Sequence, residues 1–269
     1  MNRRLKDLLA PVAVFVFAIL VWYLISLVVI DEGRRFLLPT PDAVVRVAFL
    51  DPVSLQELMA GLGLSARVAL TGLALATVIG LGLAMLMSQA RWLEKSLYPY
   101  AVVLQTVPIL ALVPLFGYWF GFGFESRVLT CVLIALFPIV ANSLFGLRSV
   151  DPGLHQLFSL HGADRLTRLL KLQLPAALPA IFTGLRISAG AAVIGAVVGD
   201  FFFQQGDPGI GQLIYTYPRR LQSEMLFAAV ILASIFGLAV FWLFGLASRR
   251  VTAWHASHEP NPLSPGGDK

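Results

Sequence analysis

The stretch GADRLTRLLKLQLPAALPA, residues 162–180, decides how the rest of the chain is interpreted. Gly162 is free to adopt the positive φ of a turn. Over residues 164–174 the leucines fall largely on one side of a predicted helix and the basic residues on another. Pro175 and Pro179 follow, and we expect them to reset the chain direction. This basic segment is conspicuous because the sequence on either side of it is almost entirely apolar.

The chain has 269 residues, of which 58% are hydrophobic and 13% are charged. Soluble domains carry about 25% charged residues. A membrane span needs about 20 apolar residues, and five runs without Asp, Glu, Lys or Arg reach that length. The sequence therefore predicts an all-α integral membrane protein with about six transmembrane helices. The five runs are residues 8–30, 68–90, 96–124, 128–147 and 225–248, and the sixth candidate is 178–203, which holds Arg186 and Asp200.

The basic residues are distributed as in a membrane protein whose termini both face the cytoplasm. With six spans, twelve cations lie on the side of the termini and seven on the other. We therefore interpret the net charge of +5 as an orientation signal and expect no nucleic-acid partner. The seven outer cations are Arg34, Arg35, Arg46, Arg67, Arg127, Arg219 and Arg220.

The chain divides into three predicted parts. Residues 1–7 form a cytoplasmic N-terminus, and the first run after them is too long for a signal peptide. Residues 8–250 form one membrane domain, which includes a cytoplasmic loop at 148–178. Residues 251–269 are polar and rich in Pro and Gly, so we expect a disordered cytoplasmic tail.

Prolines predict several interruptions. The sequence LPTP at 38–41 excludes a continuous helix in the outer segment after span 1, while Pro41 suits the first turn of a short surface helix. Span 3 contains three prolines and is expected to be kinked or broken. They are Pro99, Pro108 and Pro114.

Small residues recur every fourth position in two spans, a pattern that lets helix backbones approach closely in lipid. For span 2 we favour packing within one bundle. The row in span 5 ends in a carboxylate, so it is also a candidate for a transport path or a subunit seam. The rows are Gly72, Ala76, Gly80 and Ala84 in span 2, and Gly184, Ser188, Ala192, Ala196 and Asp200 in span 5.

The basic loop has two interpretations. A basic amphipathic helix can lie on the anionic inner leaflet. However, residues 155–160 predict a short helix before the turn at Gly162, and two short helices joined by glycine make a compact knob that can enter a groove on a soluble protein.

The spacing around Gly162 resembles the cytoplasmic loop signature of bacterial ABC importer permeases, E-A-A-x-x-x-G, nine residues, then I-x-L-P. Here Leu172 and Leu174-Pro175 occupy the second part, while Gln156-Leu157-Phe158 replaces Glu-Ala-Ala. The resemblance covers most of residues 38–248 and is to the nitrate, sulfonate, taurine and thiamine-precursor branch of type I importers. It also rests on the segments LPTPDAV, VPILALVPLFGYWFG, LPAALPAIFTGLRIS and PGIGQLI.

The resemblance implies a transport subunit rather than an enzyme. The chain has no G-x-x-x-x-G-K-[ST] phosphate loop, so a separate ABC ATPase would bind ATP and Mg. It further implies a second permease copy, an extracytoplasmic solute-binding protein and surrounding membrane lipid as partners. The residues that it assigns to ATPase docking are Phe158, Ser159, Leu160, His161, Gly162, Ala163, Asp164, Arg165, Leu166, Leu169 and Pro175.

Polar residues within the spans are candidates for a substrate path. Intramembrane carboxylates are functional hypotheses by default, although Asp200 is equally suited to a salt bridge with Arg219 or Arg220. No catalytic residue and no metal site is predicted; His255 and His258 lie in the tail. The path candidates are Gln105, Thr106, Asn142, Ser188 and Asp200.

Two other classes of protein compete with the importer subunit. An ion-coupled carrier or channel would use Asp200 as its coupling group, but it leaves the cytoplasmic knob unexplained. A membrane enzyme would need clustered His or carboxylate residues, and the sequence has none. The substrate class implied by the resemblance is a small organic solute or anion, such as a sulfonate, nitrate, a pyrimidine precursor or a flavin-like molecule.

Overall fold

The computed structural model describes residues 3–252, and all regular structure within them is helical. Five helices are long and apolar enough to cross a membrane, and a bent pair supplies a sixth span. This confirms the predicted fold class. The helices are α1 (Arg3–Leu24), α2 (Pro41–Val44), α3 (Pro52–Gln89), α4 (Arg91–Thr106), α5 (Ile109–Phe120), α6 (Phe124–Arg148), α7 (Pro152–Leu160), α8 (Arg165–Arg168), α9 (Leu174–Phe202), α10 (Ile210–Thr216) and α11 (Ser223–Val251).

Short irregular helices join these elements. The predicted tail from residue 253 onwards, with His255 and His258, lies outside the described residues. The π-helical turns are Ile25–Val29, Val45–Phe49 and Leu169–Gln173, and the 3-10 turns are Glu32–Leu37 and Tyr217–Arg220.

Helix α3 begins much earlier than the predicted span 2. It starts at Pro52, not Val68, because the Asp51 carboxylate accepts a hydrogen bond from the Ser54 N–H at 2.9 Å and Pro52 occupies the first turn. At 38 residues it is about 57 Å long, which exceeds the roughly 30 Å hydrocarbon core of a bilayer. Its Arg67 side chain is exposed, so the charge does not end the helix.

Span 3 is broken, as its prolines predict. Helix α4 ends at Thr106, and α5 begins after Pro108 with its axis turned by 106°. Pro99 and Pro114 lie inside α4 and α5 without ending them. The break at Pro108 is consistent with the lost backbone donor and the restriction that proline places on the preceding residue.

Span 5 departs from prediction in the opposite direction. We expected Pro175 and Pro179 to reset the chain, but α8, the π-helical turn and α9 form one helix over Arg165–Phe202. Within the turn the Leu174 N–H bonds to the Leu169 carbonyl, five residues back. A π-helical turn lets the helix continue at Pro175, which has no N–H to donate.

Helix α6 forms the centre of the bundle, with α3 and α9 packed against it. Both predicted small-residue rows are buried against it. A Cβ added at Gly80 would lie 2.9 Å from Ile139 Cγ2, and one added at Gly184 would lie 2.8 Å from the Pro138 carbonyl oxygen. These distances are shorter than real contacts allow, so the absence of a side chain sets the helix spacing.

A second apolar cluster lies at the end of the bundle that holds α2 and α10. Val44, Leu58, Ile210 and Tyr217 are its largest fully buried side chains. Helix α1 joins there through Trp22, whose Nε1 donates to the Pro39 carbonyl at 2.9 Å. The short surface helix predicted after Pro41 is confirmed as α2.

The close approach of α3 to α6 makes a prediction about two glycines of the same helix. A Cβ at Gly72 would overlap Cys131 Cβ, whereas one at Gly82 has no atom within 4 Å. We expect Gly72→Val to lower the free energy of unfolding by about 1–3 kcal/mol through overpacking, while Gly82→Val changes it little. Thermal unfolding of both purified variants in detergent measures this; equal melting temperatures would contradict it.

Candidate functional site

The loop between α6 and α9 folds as the knob expected from the sequence. Helix α7 starts at Pro152, where the Asp151 carboxylate accepts from the Gly153 N–H at 2.5 Å. It ends in a Schellman-type turn: Gly162 has φ +67°, and the Ala163 N–H bonds to the Phe158 carbonyl at 2.9 Å. The predicted turn at Gly162 is therefore confirmed, and its conformation favours glycine.

The second short helix starts from its own cap. The Asp164 carboxylate accepts from the Thr167 N–H at 3.0 Å, and hydrogen bonds from Thr167 hold the pKa of Asp164 below its usual range. Arg168 Nη1 reaches back to Ser159 Oγ on α7 at 3.3 Å. Both loop aspartates remain ionised as helix caps, and Arg165, Arg168 and Lys171 outnumber them, so the knob carries a small net positive charge.

The knob exposes apolar side chains that the chain itself does not bury. Leu160 is 85% exposed, and Leu154 and Leu157 precede it at three-residue spacing on α7. Leu166 and Leu170 are exposed on the second helix. Leu160 and Leu166 are among the docking residues predicted from the sequence; Leu154 and Leu157 are not, although their three-residue spacing before Leu160 is visible in the sequence.

The predicted docking residues are not equally accessible. Seven are exposed: Ser159, Leu160, His161, Gly162, Asp164, Arg165 and Leu166. Four are half-buried and hold the knob together: Phe158, Ala163, Leu169 and Pro175.

A cationic cavity of about 290 Å³ lies between the knob and the end of α3. No carboxylate lines it, and the buried Arg168 Nε has no hydrogen-bond partner among the described residues. Nearby, Glu94 of α4 pairs with Arg148 at the end of α6. The cavity is lined by Ser88, Gln89, His155, Arg165, Arg168 and Gln173, and of these only Arg165 was singled out from the sequence.

At the opposite end of the bundle, Asp200 is fully buried. Its Oδ1 lies 3.2 Å from Arg127 Nη1, and its Oδ2 accepts from Ser65 Oγ at 2.5 Å and from the Gly211 N–H at 3.2 Å. A Cβ at Gly209 would overlap the carboxylate. The partner predicted from sequence, Arg219 or Arg220, is wrong, because Arg127 lies within α6 rather than in an outer link.

Arg127 also organises the segment that follows α9. It is 1% exposed, and its guanidinium donates to the carbonyls of Phe203 at 2.9 Å, Gln205 at 3.1 Å and Asp207 at 3.3 Å. One buried cation therefore pairs with one carboxylate, whose Oδ1 accepts no hydrogen bond, and donates hydrogen bonds to three backbone acceptors. This arrangement ties α6, α9 and the chain leading to α10 together without exposing a charge.

The structure separates the five path candidates. Gln105 and Thr106 are exposed beside the break in span 3, and Asn142 is half-buried with its Nδ2 bonded to the Pro138 carbonyl at 2.8 Å. Ser188 is fully buried and donates to the Ala135 carbonyl at 2.6 Å. The row that ends in Asp200 thus packs inside the bundle instead of facing an open path, and the Asp200 side chain is fully buried.

The buried cluster predicts strong coupling between Arg127 and Asp200. Arg127→Met and Asp200→Asn should each destabilise the fold, the first by about 3–5 kcal/mol because it leaves a buried carboxylate unpaired. The double variant should lose much less free energy of unfolding than the two single variants lose when their losses are added. Denaturant unfolding in mixed micelles measures the free energy of unfolding of the wild type, the two single variants and the double variant. Exposed Arg220→Met is the neutral control, and strictly additive losses would contradict the coupling.

Comparison with known proteins identifies the family of this chain. Residues 72–253 match the family described as binding-protein-dependent transport system inner membrane component. The chain is 32% identical to the formylaminopyrimidine transport permease ThiX of Halalkalibacterium halodurans, over 89% of this chain and 93% of that one. It is 31% identical to the putative aliphatic sulfonates transport permease SsuC of Bacillus subtilis, over 95% and 89%.

Solved structures agree on the fold. A chain of the inward-facing MetNI methionine ABC transporter superposes with a TM-score of 0.67 at 18% identity, covering 75% of this chain and 99% of that one. Together with the helices able to cross a membrane, these matches show that the chain belongs to the family of binding-protein-dependent inner-membrane permease subunits of ABC importers, in the branch that includes the sulfonate and thiamine-precursor permeases.

Proposed function

We propose that this permease subunit uses the α7–α8 knob to dock a separate ATPase, which binds ATP and Mg. The observation that carries the proposal is the exposed leucine face, with Leu160 85% exposed on a segment held rigid by two aspartate caps and the Gly162 turn. An apolar face that large on a short, capped knob suits insertion into a groove. The basic cavity beside it favours an acidic partner surface.

The proposed orientation places the knob and both termini in the cytoplasm. Arg127 is buried, so it no longer counts among the cations of the outer side. The excess of cations on the knob side over the outer side is therefore larger than the sequence predicted. The first turns of α4, with Lys95, and the ends of α6 and α11, with Arg148 and Arg249, lie on the same side as the knob. The opposite end, with α2 and α10, is then the surface for the extracytoplasmic solute-binding protein.

The proposed path lies between two copies of the chain. Within the described residues, the α4–α5 segment exposes Gln105 and Thr106 at its break and the aromatic residues Tyr118 and Trp119 beyond it. One copy leaves this surface uncovered, and a second copy related by a twofold axis would enclose it. ATP-driven closure of the ATPase pair would move the two knobs and switch the path between its two open states.

The proposed substrate is a small organic solute without a strong requirement for anionic charge. Arg127 is fully engaged by Asp200 and three carbonyls, so it is not free to bind an anion. Relatives that are named for a formylaminopyrimidine and for riboflavin favour a substrate with a heteroaromatic ring. A relative named for sulfonates keeps an anionic substrate as the alternative. Competition uptake with these three compound classes separates the choices.

The docking proposal predicts a loss of partner without a loss of fold. Leu160→Asp should leave the melting temperature of the subunit unchanged, because the side chain is 85% exposed, yet release the ATPase when the complex is purified from its native membrane. The matched control is Leu50→Asp at the opposite end, where the leucine is 69% exposed. Wild type should carry two ATPase subunits per two permeases; a wild-type chain that purifies alone would refute the assembly.

The basic cavity predicts an electrostatic contribution to the same association. Arg165→Glu combined with Arg168→Glu should weaken ATPase binding and reverse its dependence on salt, because screening then reduces a repulsion. Co-purification between low and high ionic strength measures this. Arg219→Glu and Arg220→Glu at the other end serve as the charge-matched control, and an unchanged salt dependence in the cavity variant would contradict an acidic partner.

A further inference from the structure

A second basic cleft lies away from the knob, between α9 and α11. It encloses about 100 Å³ and is lined by Arg186, Trp242, Gly245, Leu246 and Arg249. Two of its five residues are arginines, and none is acidic. The cleft is close to the end of α11, which stops at Val251, so it lies near the same surface of the bundle as the knob.

Arg186 is an unusual residue for its position. It is the single charged residue between Lys171 and Asp200, inside a helix that crosses the membrane. Its guanidinium lies 3.9 Å from the centroid of the Phe241 ring on α11. Among the side chains that the structure describes, neither Arg186 nor Arg249 has an ion-pair partner. Both side chains are exposed at the surface of the bundle, where an unpaired charge facing lipid is costly, so two cations that share one cleft favour a bound anion.

The lining leaves room for such an anion and for apolar chains attached to it. A Cβ at Gly245 would lie 3.5 Å from Arg186 Cζ, so any larger side chain at this position would enter the cleft. Trp242 is 63% exposed at the rim, where indole rings favour the boundary between headgroups and acyl chains. Leu243 and Leu246 extend the exposed apolar surface beside it.

We propose that this cleft binds the phosphate of an anionic phospholipid from the leaflet on the knob side. The planar guanidinium groups of Arg186 and Arg249 suit the oxygen atoms of a phosphate, which they can bind in a bidentate manner. Basic pockets between transmembrane helices on the cytoplasmic side, where the proposed orientation puts the knob, bind anionic headgroups. The acyl chains then lie along the exposed face of α11, which a free phosphate does not require.

The site has a mechanical consequence. Helix α9 is continuous with α8 of the knob, and α11 packs against α9. A headgroup held by one arginine from each helix links α11 to the helix that moves with the knob. Anionic lipid therefore stiffens this contact, independently of which ATPase binds the knob or which solute is carried.

Native mass spectrometry of the purified permease complex tests the proposal. The complex is exchanged into micelles that contain phosphatidylglycerol or phosphatidylcholine at equal concentration, and a third sample receives inorganic phosphate without lipid. We expect selective retention of phosphatidylglycerol, weakened about 5-fold by Arg186→Gln and similarly by Arg249→Gln. Gly245→Leu should abolish retention while every charge remains. The matched control, Arg250→Gln, removes an exposed neighbouring cation that does not line the cleft and should have no effect.

Each other outcome overturns the proposal. Equal retention of both lipids, or equal losses in the Arg250→Gln control, would show non-selective surface attraction. Phosphate binding that displaces phosphatidylglycerol would assign the cleft to a soluble anion instead. Should Arg186→Gln fail to fold, Gly245→Leu and Arg249→Gln carry the test, because both positions are at the margin of the bundle; retention that survives in both would refute the site.

Discussion

The architecture depends on the close approach of α3 and α9 to α6, and α3 and α9 also contact each other. Gly72 of α3 and Gly195 of α9 both meet Cys131, and Gly80 and Gly184 both meet Ile139. In lipid there is little hydrophobic driving force between helices, so van der Waals contact at short range has to supply the stability. Where glycine is absent, buried hydroxyl and thiol groups of Ser188 and Cys131 bond to carbonyls of the facing helix. The result is a central three-helix unit whose members cannot slide without steric overlap.

The two ends of this unit differ in how their polar groups are satisfied. At the α10 end, Arg127 and Asp200 neutralise each other in the interior, and the remaining donors are used by backbone carbonyls. At the knob end, the capping aspartates complete the helices but leave arginines and leucines facing outward. A rigid segment with an exposed apolar surface is suited to binding another protein. A buried cluster of opposite charges is suited to holding α6, α9 and the chain before α10 in fixed positions.

The sequence predicts the class and the knob well, because both depend on local patterns. Apolar run length identifies the spans, and Gly162 with its flanking aspartate and prolines identifies the turn. Long-range pairing is invisible to such patterns. Arg127 sits near the boundary of an apolar run and is easily counted as a loop cation, since nothing local indicates that Asp200 lies across the helix interface. Charges such as Arg67 similarly conceal the true start of α3, because exposed positions on a long helix tolerate them.

The error at Pro175 is the most instructive, because it changes how the knob acts on the rest of the subunit. Had the prolines broken the chain, the knob would have been hinged to the membrane domain. Instead, the Leu169–Gln173 π-helical turn lets the helix run without interruption from Arg165 to Phe202, a length of about 57 Å. Under the proposed docking, a displacement of the knob would therefore reach the segment beside Asp200 along α9. Because α9 packs closely on α6 at Gly184 and Gly195, and Arg127 of α6 pairs with Asp200 of α9, the two helices would move as one unit.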